Sequence, residues 1–157
     1  MMLFSLKLGG IAVLLLASMR QPCFPFVIGL QGEADVARQH EERGNLELER
    51  RDSAAAAREF RSALMSNPHS VSAHIGLGIA LRQSGDKVGA VIEFQTAIQL
   101  DPGDPRAHCN LAITFGQEGD WEESKAELLR LLNLKPDYAD AHYFQRLATI
   151  LEGGKGP

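Results

Sequence analysis

Three histidines share one spacing. His74, His108 and His142 recur every 34 residues, each directly after an alanine. Imidazole is a common metal ligand, so a row of rings raises metal or small-ligand binding as the first chemistry to weigh. Zn–N bonds of ~2.0–2.1 Å require ligands that converge on one point. Equivalent positions on neighbouring packed helices stand roughly 10 Å apart. No Cys/His/carboxylate cluster with metal-site spacing accompanies the row. The spacing therefore favours half-buried rings packed in a repeating scaffold, with a His74/His108/His142 binding ladder as the alternative. Other catalytic signatures are missing. The chain has no G-x-S-x-G, phosphate-binding Walker loop, H-E-x-x-H or C-x-x-C. Glu122 and Glu123 stand together at an expected helix start, where negative charge suits the helix dipole better than acid/base work. The expectation is a protein without cofactor or resident metal, and not an enzyme.

The elements that position these histidines are marked by proline. Pro68, Pro102 and Pro136 repeat at the same 34-residue interval, in "SNPHS", "LDPGD" and "LKPDY". A period held twice indicates a repeat array. Counted from the prolines, the units are 37–70, 71–104 and 105–138, followed by a remnant over 139–152 and a tail over 153–157. The second unit, "VSAHIGLGIALRQSGDKVGAVIEFQTAIQLDPGD", holds two apolar-periodic stretches joined by Ser84-Gly85-Asp86. Gly85 suits the left-handed conformation that ends a helix, and Asp86 can cap the next one. The second helix must stop before Pro102, whose ring disfavours helical backbone at the preceding residue. Each unit is thus a helical hairpin, and nothing in the chain reads as strand-rich.

Here the sequence resembles the tetratricopeptide repeat family. Within the second unit the family's positions fall on His74, Leu77, Gly78, Leu81, Ala90, Phe94, Ala97 and Pro102. In the third they fall on His108, Leu111, Ala112, Phe115, Ser124, Leu128, Leu131 and Pro136, with Gly119-Asp120 at the turn. The first unit keeps Gly44, Ala56, Phe60, Ala63 and Pro68. It departs at Arg43, at Glu47 and at Arg51, which stands where the turn glycine belongs. The resemblance implies an all-α fold, a right-handed α-solenoid of helix-turn-helix hairpins: three repeats plus a C-terminal capping helix over 139–152. Gln145 and Arg146 replace Leu-Gly in that remnant, which suits a last helix with a wet outer face. The tail 153–157 is expected to be disordered.

The resemblance also implies a protein-interaction module. In this family the second, fifth, ninth and twelfth positions of each first helix line a concave groove. They are Arg38, Glu41, Asn45 and Leu48 in unit one, then Ser72, Ile75, Ile79 and Arg82 in unit two. Unit three supplies Arg106, Cys109, Ile113 and Gly116, and the cap supplies Asp140, Tyr143, Leu147 and Ile150. The expected partner-binding residues are Asn45, Ile75, Ile79, Arg82, Arg106, Cys109, Ile113, Tyr143 and Leu147. A groove apolar through its middle suits an amphipathic helix or apolar peptide. A clamp for acidic tails would want lysine at the fifth position, where this chain has Glu41, Ile75 and Cys109. Self-association, with a second copy covering the groove in a membrane-associated scaffold, is the other reading of such a patch.

Composition narrows the field further. The 157-residue chain is 45% hydrophobic and 23% charged, with a net charge of −4. That balance argues against nucleic acid, which needs clustered Lys and Arg. No acidic residue precedes Glu33. Lys7 is followed by the apolar run "LGGIAVLLLASM" (8–19), the shape of a secretory signal and too short for a confident membrane span of ~20 residues. The expectation is a signal peptide or N-terminal membrane anchor over 1–29, with residues 3–19 as a tether, then a linker over 30–36. The protein would then be exported or membrane-anchored. A true start at Met19 would make it cytoplasmic instead. Cys23 and Cys109 are the only cysteines, too few for a disulfide framework.

Overall fold

The computed structural model describes residues 24–137, and side chains from residue 32 onward. They form six α-helices: α1 (Phe24–Glu49), α2 (Ser53–Ser66), α3 (Val71–Ser84), α4 (Lys87–Leu100), α5 (Pro105–Glu118) and α6 (Trp121–Leu134). There is no strand among the described residues. The capping helix, the tail and most of the N-terminal segment expected from the sequence lie outside the described residues.

Polar side chains start the helices where the sequence places them. Asp52, Ser70, Asp86 and Asp104 each accept a hydrogen bond from a backbone N–H of the first turn. Within the second and third hairpins the turn is made by glycine in the left-handed region, Gly85 at φ 92° and Gly119 at φ 88°. The first hairpin makes the same turn without glycine. Arg51 adopts φ 61°, a conformation that crowds an L side chain.

Residues 30–36, expected as a linker, are helical and continuous with the array inside α1. Once a helix is nucleated each added residue costs little, and "LQGEADV" contains no proline to stop it. Burial changes along this helix. Among the described side chains of α1, residues 32–36 are exposed and Ala37 is the first that is buried.

Each hairpin is held by a large residue among small ones. Phe60 and Phe94 are fully buried between Ala56 and Ala63 and between Ala90 and Ala97. A methyl group on Gly44 would come within 2.8 Å of the Phe60 ring, and one on Gly78 within 2.6 Å of Phe94. Gly76, on the next hairpin, closes on Phe60 from the other side. Phe60 is thus gripped between two repeats, a close approach that only side chains without a Cβ allow. In the third repeat Leu128 replaces the phenylalanine and Ala112 replaces the glycine, a matched exchange of volume.

The curvature follows from which helices meet. The first helices touch in sequence, α1 on α3 and α3 on α5, whereas no contact joins α2 to α4 or α4 to α6. Helices that crowd on one side and spread on the other form an inner and an outer face. The inner face belongs to α1, α3 and α5.

Candidate functional site: the inner face of the first helices

The inner face shows three kinds of residue among those picked out by spacing. Ile79 and Ile113 are half-buried, and each packs with its inner side against a core cluster while the rest stays accessible. Asn45 is exposed. Ile75 and Cys109, by contrast, retain only 5% and 7% of their exposure. They are floor rather than contact surface, because Ile75 packs within one buried cluster and Cys109 within the other. Tyr143, Leu147 and His142 lie outside the described residues.

The two arginines expected to bind the partner are both tied to the scaffold, Arg82 half-buried and Arg106 exposed. Arg82 reaches across to the next repeat and donates to the Asn110 carbonyl (3.3 Å) and side-chain oxygen (3.1 Å). Its guanidinium also stands 5.9 Å from the centre of the Phe94 ring. Burial pulls its pKa below the ordinary arginine value, with Cys109 acting the other way. Arg106 forks onto its neighbour Asp104, Nε donating at 3.1 Å to each oxygen and Nη2 at 2.6 Å. It also reaches Ser72 of the preceding repeat at 3.5 Å. Those side-chain hydrogen bonds, more than anything else, hold the Asp104 carboxyl below the usual carboxylate range. A third brace ties α1 to the start of α3, where Ser70, the N-cap of α3, donates its hydroxyl to Glu41.

The histidine row resolves as a structural ladder. His74 Nδ1 pairs with Glu93 at 2.7 Å and Nε2 faces the Pro68 carbonyl at 3.1 Å. His108 repeats the arrangement with Glu127 at 2.8 Å and Pro102 at 3.3 Å. Each ring therefore ties together its own hairpin and the punctuation of the one before. His40 belongs to the same row, pairing with Glu59 at 2.8 Å. Sequence reasoning missed His40 and the glutamates, although Glu59, Glu93 and Glu127 keep the 34-residue period as faithfully as the histidines. The pairs grow drier along the array: the histidines are 26%, 13% and 6% exposed in order. Among the described residues no group of three or more His, Cys, Asp or Glu converges in a way that could hold a metal ion.

A second concavity of about 610 Å³ lies between α4, α5 and α6, floored by Ile98, Leu111 and Phe115. Its buried polar groups, His108 and Glu127, satisfy each other, and Arg130 also pairs with Glu127. On the inner face Ile79 and Ile113 stand at equivalent positions of adjacent repeats, each half-buried.

A stack of helical hairpins braced at both junctions, with its first helices meeting along one face, is the architecture of a protein-interaction scaffold. A family model described as a tetratricopeptide repeat matches residues 41–105, and a second of the same description matches 93–126. The chain belongs to the tetratricopeptide repeat family. Solved structures agree on the fold. The tetratricopeptide domain of Arabidopsis OM64 is similar at a TM-score of 0.72 and 14% identity, over 74% of this chain and 97% of that one. The first such domain of RPAP3, bound to the HSP90 peptide SRMEEVD, is similar at 0.73 and 17% identity, over 76% and 95%. The Yersinia enterocolitica type III secretion chaperone SycD, in complex with a peptide of the translocator YopD, is similar at 0.68 and 14% identity, over 75% and 95%. Comparison with curated proteins finds no match.

Proposed function

We propose that this protein is a binding module whose inner groove receives an apolar peptide or amphipathic helix from a protein partner, and that it is not a catalyst. The observation that carries this reading is the pair Ile79 and Ile113, half-buried at equivalent positions of adjacent repeats on the inner face. Two of the solved relatives hold peptides, which supports the same use of the scaffold here. The mechanism is shape and burial. A braced, rigid groove loses little entropy on binding, so apolar contact is not offset by ordering the receptor. Asn45, Arg82, Arg106, Tyr143 and Leu147 would frame the peptide, with Ile75 and Cys109 beneath it.

The test combines function and folding. Ile79→Asp is expected to abolish photocrosslinking of the partner from position 113 in the native host while leaving helicity unchanged. A loss of helical circular dichroism would show Ile79 to be core and would overturn the groove assignment.

We further propose an exported or membrane-anchored location. Lys7 and the apolar run over 8–19 support it, and N-terminal sequencing of the mature protein tests it. No helix among the described residues is long and apolar enough to cross a membrane. A second reading, a homo-oligomeric scaffold, is favoured by Val88 and Ile92, two exposed apolar residues one turn apart on the outer side of α4. A crosslink only to a second copy, with sedimentation that depends on concentration, would replace the foreign partner by this one.

A further inference from the structure

The groove is not uniform along its length, and its charges are not all available. The fifth-position row runs Glu41, Ile75, Cys109 and the ninth-position row runs Asn45, Ile79, Ile113. Repeat one is therefore polar where repeats two and three are apolar. Of the groove cations, Arg106 is neutralised by Asp104, which it grips through both Nε and Nη2. Arg82 is half-buried and bonded to Asn110. At the repeat-one end the balance is negative. Arg38 is shared between Asp35 and Glu42. Glu41 takes a hydrogen bond from Ser70, and no cation among the described residues forms an ion pair with it.

From this we infer that the groove selects a segment with an apolar body and a basic flank, laid so that the basic end meets Glu41 in repeat one and the apolar residues cover Ile79 and Ile113. The inference rests on the groove reading proposed above. It follows from charge complementarity: a lysine or arginine placed at Glu41 gains an uncompensated carboxylate, while an acidic tail finds its would-be arginine partners already occupied. A partly solvated charge pair contributes modestly to affinity and chiefly to orientation and discrimination. The preference is therefore one of several-fold rather than of orders of magnitude.

Two fluorescein-labelled peptides test it on the full chain by fluorescence polarisation. They share an apolar core of alternating leucine and alanine. One carries two lysines at one end, and the other carries two glutamates and a free C-terminal carboxylate. The basic peptide is expected to bind about threefold to fivefold tighter. Glu41→Gln, which keeps a partner for the Ser70 hydroxyl, should erase that preference, and Ile79→Asp should abolish both bindings. Raising salt should shrink the preference, since Glu41 is only half-buried. Two peptides that bind equally, or a stronger acidic one, with both lost in Ile79→Asp, would overturn the charge inference and leave the groove standing. Binding of neither peptide, or binding unaffected by Ile79→Asp, would remove the groove reading and this inference with it.

Discussion

Arg51 carries the clearest single-residue cost in the molecule. It closes the first hairpin at φ 61°, where the equivalent turns use Gly85 and Gly119. Non-glycine residues pay roughly 1–2 kcal/mol for that backbone region, and glycine gives back part of the gain through its greater freedom when unfolded. Arg51→Gly should therefore stabilise the protein by about 0.5–1 kcal/mol, read as a higher urea midpoint with an unchanged slope. A lower midpoint would mean that the arginine side chain contributes contacts worth more than the strain. Asp104 offers the pH-dependent counterpart. Its folded pKa is depressed, so its contribution is present above the unfolded carboxylate value and is lost as pH falls through the folded one. Asp104→Asn keeps the helix cap and removes the charge paired with Arg106. The variant should be less stable by roughly 0.5–1 kcal/mol at neutral pH, because Arg106 is largely solvated. The gap should close as pH drops below about 4. A gap that persists unchanged at pH 2 would assign the effect to packing instead.

Whole helices meet through the absence of side chains as much as through their presence. On intrinsic propensity, replacing a mid-helix glycine by alanine should stabilise α3 by up to about 1 kcal/mol. Gly76 is where packing reverses that sign. A Cβ there would run into the Phe60 ring, itself pinned from the other side by Gly44 and held between Ala56 and Ala63. Overpacking of this kind typically costs ~1–3 kcal/mol. Gly76→Ala is expected to lower the thermal midpoint, and Gly76→Ala combined with Phe60→Leu should recover part of the loss. That pairing copies the smaller Leu128 of repeat three. A stabilised single variant would show that the ring can swing aside at no cost. At this scale the sequence was readable in part. The resemblance puts Ala56, Ala63, Ala90 and Ala97 on family positions around Phe60 and Phe94, whereas Gly76 falls on none of them, and only the structure sets it against the Phe60 ring.

The array as a whole has two cores of unequal reach. One runs from Ala56 through repeat two to Ala107 and Leu111, and a separate cluster of Cys109, Ala112, Leu128 and Leu131 serves α5 and α6. Repeat arrays transmit stability only between neighbours, so a boundary between clusters is a boundary between opening units. Native-state hydrogen exchange should show α6 amides exchanging through a partial opening with lower free energy than those of α3 and α4. Uniform protection across all the hairpins would mean that the braces at the second junction, Arg82 to Asn110 and Arg106 to Ser72, weld both cores into one.

By itself the sequence determined the class of protein. A period set by Pro68, Pro102 and Pro136, glycine or its substitute at each turn, and small residues around one phenylalanine leave a chain little choice but stacked hairpins, since these are local constraints on backbone and volume. It also grouped residues by helix face, because spacing along a helix decides which residues share a face. What spacing cannot show is how deeply a side chain on that face sinks or which atom it meets. Only the tertiary structure buried Ile75 and Cys109 while leaving Ile79 and Ile113 half-buried, tied Arg82 and Arg106 to neighbouring repeats, and paired the histidines with Glu59, Glu93 and Glu127. Those outcomes depend on the distance between neighbouring repeats, which is set jointly by every side chain in the seam.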